Sequence, residues 1–189
     1  RLATDAATAA ALAAAKNPQT GDVFVYDAYR QSRLRAEAHI ENLRQMGLGS
    51  AFPFVCDPSA EQTEKSSGEK LLEVWMDALY GNDSWRYTPA SDRWLVKANN
   101  AVQPGIEVVQ SFMDTQKLYI MEGAPEMLLE ELREYRYAKP SKDGTSKPRV
   151  HKLGDDLCDC LRYLLVEIGR ARPRTKRRPW TRPMSKAPH

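Results

Sequence analysis

Lys152-Leu153-Gly154-Asp155-Asp156-Leu157-Cys158-Asp159-Cys160-Leu161-Arg162-Tyr163 sets carboxylates at the opening of an apolar helix. From Leu157 the apolar side chains fall at Cys160, Leu161, Leu164, Leu165 and Ile168, the stripe of a helix packed on a core along one side. At about 100° per residue, Asp156 falls at the edge of that stripe, with Asp155 and Asp159 farther round toward the opposite face. Two accounts of these acids are open. Asp156 is the best-placed ligand for a cation; alternatively, Asp155 and Asp156 complement the helix dipole from its first turn while Asp159 is solvated.

Outward from this helix, 189 residues at 42% hydrophobic are enough for one domain with a proper core and too few for two large ones. The net charge of +3 hides an asymmetry. Residues 170–189 hold eight bases (Arg170, Arg172, Arg174, Lys176, Arg177, Arg178, Arg182, Lys186) and no acid, which leaves 20 bases against 25 acids in the body. An acidic body with a basic tail suits a protein that binds cations in a pocket and a polyanion elsewhere. Cys56, Cys158 and Cys160 are odd in number and lack zinc-type spacing, and no secretory or membrane-spanning run is present, so the expectation is a reduced, cytosolic, soluble protein. Cys160 belongs to the core stripe, where packing accounts for it.

The opening Arg1-Leu2-Ala3-Thr4-Asp5 has no initiator Met or cap before it and reads as the cut end of something longer. Ala6 to Ala15 is helix by propensity alone, yet the polar turn Asn17 to Asp22 leads straight into the strand Val23–Tyr29. The alanine run is either the first arm of a hairpin or a helix capped by Asp5. Arg35 to Met46 is an amphipathic helix facing inward with Ala36, His39, Ile40 and Leu43, closed by Gly47 and Gly49. Phe52–Cys56 is a strand that ends at Asp57-Pro58, and Ser67–Tyr80 is a helix with Leu71, Leu72, Trp75, Leu79 and Tyr80 at helical spacing. Strand, acid, loop, helix is an α/β rhythm. Beyond it come a short strand near Trp94-Leu95-Val96, the turn Asn99-Asn100 and a helix Pro104–Met113 with Pro in its first turn. The strand Lys117–Met121 follows, then a helix Pro125–Tyr135 burying Met127, Leu128, Leu129 and Leu132. Between Arg136 and Lys152, Asp143-Gly144 signals a hairpin, with Pro140 and Pro148 confining its ladder to an edge: a basic ribbon carrying Arg136, Lys139, Lys142, Lys147, Arg149 and Lys152. The proline-rich tail 170–189 is expected to be disordered in isolation.

Three acids stand at the ends of predicted elements: Asp5, Asp57 and Asp156. Open α/β sheets build their sites beyond strand carboxyl ends, where separated acids can converge, and hard divalent cations take oxygen ligands. Two such ions about 4 Å apart can activate water and stabilise the leaving oxygen in phosphodiester hydrolysis. Competing constellations are weak. His39 lies on an apolar helix face, His151 is a loop residue near the acidic helix that could contact phosphate, and His189 is terminal. No Gly-x-x-x-x-Gly-Lys-Ser/Thr loop is present, which excludes ATP hydrolysis by that route. Trp180, among prolines and arginines, could stack on a base.

Taken in order, the strand Asp22–Arg30, the strand end Cys56-Asp57-Pro58-Ser59-Ala60, the turn Asn100–Ile106, the helix end Glu130–Tyr135, Lys147-Pro148 and the motif Asp155–Tyr163 resemble the nuclease domain of a tailed-bacteriophage terminase large subunit, a member of the RNase H-like superfamily. The resemblance covers residues 1–169. It implies a mixed central sheet flanked by helices, with a basic β-hairpin, and the expectation that this is a carboxyl-terminal half without the family's ATPase motor domain. Carried over, the family's acids fall on Asp5, Asp57 and Asp156, with Asp159 matching a further acid of some members; together they would bind two Mg²⁺ or Mn²⁺ ions. The family's first Asp is usually followed by Gly and a polar turn, whereas Ala6-Ala7 follow Asp5 here. The implied activity is metal-dependent cleavage of double-stranded viral DNA during genome packaging, in the host cytoplasm at the procapsid. The basic ribbon would guide DNA, and the ATPase domain, small terminase subunit and portal protein would be partners. Rival readings are a junction resolvase or a DNA-binding adaptor with structural acids.

Overall fold

The computed structural model describes residues 8–47, 54–61, 70–80, 95–122, 126–137, 150 and 154–170. The alanine run resolves as strand β1 (Thr8–Lys16), paired antiparallel with β2 (Val23–Ser32) across the Asn17–Asp22 turn. Propensity favours helix here, but tertiary context wins. Alternate alanines face opposite layers: Ala9, Ala11 and Ala13 meet one core and Ala10, Leu12 and Ala14 the other. Small side chains let helices close on both faces of the strand.

One strand has to serve both cores, and a β-bulge makes this possible. Ala13 pairs with Asp27 but Ala14 pairs with Val25, so Tyr26 is the extra residue. Val23, Val25 and Tyr29 would share a face in a regular strand. With the bulge, Val23, Val25 and Ala28 turn to one core and Tyr29 to the other.

On the Tyr29 side lie α1 (Ala36–Gln45) and α2 (Leu71–Tyr80), with Ile40, Leu43 and Leu79 in the core. The four inward residues expected of α1 are the four that are buried. In α2 the spacing highlights Leu71 and Trp75, yet Met76 is the side chain buried along with Leu79, while Trp75 is half-buried and Leu71 is exposed. Strands β3 (Phe54–Cys56) and β4 (Leu95–Lys97) form a separate parallel pair, and β3 runs into a 3₁₀ turn, Pro58–Glu61.

On the other side lie α3 (Val102–Asp114), α4 (Glu126–Glu134) and α5 (Asp156–Gly169), while β5 (Leu118–Ile120) pairs parallel with β2. Helix α5 packs on α3, α4, β1 and β3, and its Leu157, Leu161 and Leu165 are almost fully buried. Truncating any of these leucines to Ala should cost about 2–5 kcal/mol. Met127, expected inside, is exposed, and Glu131 is buried in its place. The reason is a polar partner on α5, described below.

The acidic and basic segments are only partly within view. Asp5 lies outside the described residues, as do Lys139, Lys142, Lys147, Arg149, Lys152 and the tail beyond Arg170. Tyr137 bridges antiparallel to Val150 at the base of the expected ribbon. No helix among the described residues is long and apolar enough to cross a membrane.

Candidate active site

The candidate site forms where the carboxyl end of β3 meets α5. The chain leaves β3 at Asp57 and turns at once, because Asp57 Oδ1 accepts the backbone N–H of Ser59 at 2.6 Å. The other oxygen, Oδ2, lies 2.5 Å from the hydroxyl of Tyr163 on α5. Burial by itself would push the Asp57 carboxyl up; donation from Ser59 and Tyr163, aided by the nearby Arg162 cation, outweighs it and holds the group below its ordinary value. Asp57 is therefore an ionised acceptor at neutral pH. Burial and then Asp57 itself push the Tyr163 phenol up, so Tyr163 stays protonated as a donor.

A second acceptor ties this pair to the rest of α5. Asn100, in the turn after β4, presents Oδ1 to the Tyr163 hydroxyl at 3.0 Å and to Arg162 Nη2 at 3.1 Å. Arg162 also donates through Nε and Nη2 to Asp159 Oδ1, at 3.2 and 2.9 Å. Of the accounts open for Asp159, solvation on the far face is the one this contact removes. Because α3 and α4 flank α5, the side carrying Asp159 and Arg162 is enclosed, and Arg162 is only 1% exposed. Burial would lower the Arg162 pKa, but the Asp159 carboxylate overcomes this and raises it. The Arg162 stem passes directly over Gly105 of α3: a Cβ built there would stand 2.6 Å from Arg162 Cγ. Arg162 Nη1 is buried with no acceptor among the described residues.

Asp156 opens α5 as an exposed residue, one position after the helix cap Asp155. Gly154 sets the entry angle with φ +62°, a left-handed conformation that would strain a side chain. The thiol of Cys160, bonded to the Ala10 carbonyl at 3.4 Å, lies in the combined field of these acids. Burial first, then Asp159, Asp156, Glu131 and Asp57, push it up to about 12. Cys160 is thus a neutral thiol, as the packing account expects.

A further acid belongs to this framework. Glu131 of α4 is 6% exposed, and its Oε2 accepts the backbone N–H groups of Leu157 at 2.7 Å and Cys158 at 3.1 Å. Its Oε1 pairs with Arg30 of β2. At the opposite end of α5, Lys16 Nζ donates to the carbonyl of Ile168 at 3.3 Å. An acid from one neighbour and a base from another complement both ends of the helix dipole.

Asp57, Asp156 and Asp159 therefore all border α5, but Asp159 is engaged by Arg162. No group of three or more His, Cys, Asp or Glu able to hold a metal ion is found among the described residues. Asp57 and Asp156 supply oxygen donors of the hardness that Mg²⁺ and Mn²⁺ prefer, and Asp57 is held in its anionic form. The donor chemistry fits such an ion. Arg136 is exposed just beyond α4. Sequence reasoning assigns no role to Asn100, Gly105, Glu131, Arg162 or Tyr163. Only the i, i+3 spacing of Asp159 and Arg162 signals a contact in advance.

Compared by sequence, the chain matches no family model and no curated protein. Compared by structure, it is similar to the nuclease domain of the P22 large terminase, with a TM-score of 0.60, 17% identity and coverage of 86% of this chain and 76% of that one. The nuclease domain of the bacteriophage SPP1 large terminase, solved with bound Mn, gives a TM-score of 0.56 at 13% identity, covering 86% and 80%. The large terminase of a thermophilic bacteriophage gives 0.56 at 16% identity, with 79% of this chain matching 34% of that one. The fold is the mixed α/β, RNase H-like fold of these nuclease domains.

Proposed function

We propose that this chain is a metal-dependent endonuclease that cuts double-stranded DNA during viral genome packaging. The observation that supports this most directly is Asp57, held ionised at the carboxyl end of β3 against the helix whose first turn carries Asp156, in a fold shared with large-terminase nuclease domains. Asp57 and Asp156, with Asp5, would hold two Mg²⁺ or Mn²⁺ ions; an ion is bound in the SPP1 domain. Such ions would supply Lewis-acid activation of a water and neutralise charge at the scissile phosphate. The chain's own residues prepare the site. Ser59 and Tyr163 keep Asp57 deprotonated and fix its orientation, Asn100 aligns Tyr163, and Arg162 holds Asp159 as an auxiliary acid.

Arg136, Lys139, Lys142, Lys147, Arg149 and Lys152 would track duplex phosphates beside the acids. Residues 1–169 would be the nuclease unit and 170–189 a basic extension. In this reading the partners are a terminase ATPase domain, the small terminase subunit and the portal, at the procapsid in the host cytoplasm.

Plasmid cleavage with Mn²⁺ tests the assignment. Asp57→Ala and Asp156→Ala should each lose more activity than the roughly 100-fold that outer-sphere changes cost, while still binding duplex DNA. Full activity in both variants would leave a DNA-binding adaptor, and preference for branched over linear duplex would point to a resolvase.

A further inference from the structure

Helix α5 carries Asp156 at its opening, so whatever fixes its first turn fixes the position of that acid. Its own cap does not do this: Asp155 makes no side-chain capping bond to the helix, and its backbone, at φ −110° and ψ 13°, lies outside the extended conformation usual at this position. The two amides it leaves, Leu157 and Cys158, are taken by Glu131 of a different helix. The Glu131 carboxylate is in turn held by Arg30, which the bulge in β2 directs to this side of the sheet. The chain β2, Arg30, Glu131, α5 is thus a rigid link from the central sheet to the residues flanking Asp156. We propose that Glu131 is a positioning residue of the nuclease site: it clamps the first turn of α5 and so fixes where Asp156 stands relative to the sheet.

Two features argue against a plain stabilising cap. A Ser, Thr, Asn or Asp within the chain would satisfy the same amides without burying a charge. A buried acid and a partly exposed arginine are a costly way to do it, and the combination specifies one orientation of the helix relative to the sheet. Outer-sphere groups that orient ligands behave in this way, and changing them typically lowers metal affinity or activity about 10–100-fold.

The inference rests on the nuclease reading, and the full 189-residue chain can test both separately. Mn²⁺ affinity is measured by calorimetry on the wild type, Glu131→Gln and Glu131→Ala, beside steady-state plasmid cleavage and amide exchange at Leu157 and Cys158. Both variants should exchange these amides faster and bind Mn²⁺ about 10–100-fold more weakly, with kcat falling and duplex affinity unchanged. If Glu131→Ala fails to fold, Glu131→Gln and Arg30→Met, which removes only the counter-ion, carry the same expectation. A folded variant whose melting temperature drops while Mn²⁺ affinity and kcat stay at the wild-type level would overturn the positioning role and leave a structural cap. A wild type that neither binds Mn²⁺ nor cuts DNA would instead sink the nuclease reading itself.

Discussion

The two faces of the β1–β2 hairpin each carry a polar network, and the networks are of opposite kinds. On the α1 side, the Tyr29 hydroxyl lies 2.6 Å from His39 Nδ1 and 3.0 Å from Gln31 Oε1, and Asn42 donates to both Tyr29 and Gln31. His39 also stacks on Trp75. Every member is neutral when His39 is unprotonated, and burial lowers the His39 pKa despite a hydrogen bond from the imidazole to the Leu34 backbone that raises it. On the α5 side the members are charged: Tyr163 and Asn100 link Asp57 to Arg162 and Asp159, and Glu131 pairs separately with Arg30. The neutral network closes on itself. The charged side places carboxylates along α5, and burying Arg162 and Glu131 there is costlier than burying neutral residues. In the proposed reading, that contrast puts the site on the α5 side of the sheet.

The largest expected effect removes the buried cation. Arg162→Met removes the buried cation that bonds Asp159 and Asn100 and should cost about 3–5 kcal/mol, toward the lower end because the Asp159 side chain is 17% exposed. Urea titration would measure it. A variant as stable as the wild type would mean the charged network is not a folding constraint.

Next comes Gly105→Ala, whose Cβ would meet Arg162 Cγ and Cδ at 2.6 and 2.7 Å. Overpacking of this kind costs about 1–3 kcal/mol. In an Arg162→Ala background both clashing carbons are gone, and the penalty should shrink; a double-mutant cycle with no coupling would deny that these residues meet.

The smallest effect belongs to the neutral network. Unfolded histidine takes up a proton near pH 6.5, whereas folded His39 does so only at lower pH. Its contribution to stability is complete above pH 6.5 and lost as pH falls through the window below it. His39→Gln should flatten the melting temperature against pH in that window. An unchanged slope would assign the acid sensitivity to the charged face.

The sequence reveals what depends on local pattern. The inward face of α1, the strand end at Asp57 and the stripe of α5 follow from spacing alone. It conceals what depends on partners. Nothing in the run of acids marks Glu131 out, and only the amides of α5, 26 residues away, explain why it and not Met127 turns inward. Arg162 is not marked for burial either, because the covering α3, with Gly105 to admit it, is distant in the chain. The alanine run is undecidable by propensity, since its strand form comes from two helical layers closing on small side chains. Asp5 and most of the expected DNA-contacting bases fall outside the described residues.

The extra residue at Tyr26 has a wider consequence. Because Arg30 and Tyr29 are neighbours sent to opposite layers, one peptide unit decides which of them meets Glu131 and which meets His39. Slide the second half of that strand by a single step and both would trade places, a guanidinium facing an imidazole and a phenol facing a carboxylate. The hairpin is therefore the phase reference for two otherwise separate halves of the molecule, and an insertion or deletion there should disable both together.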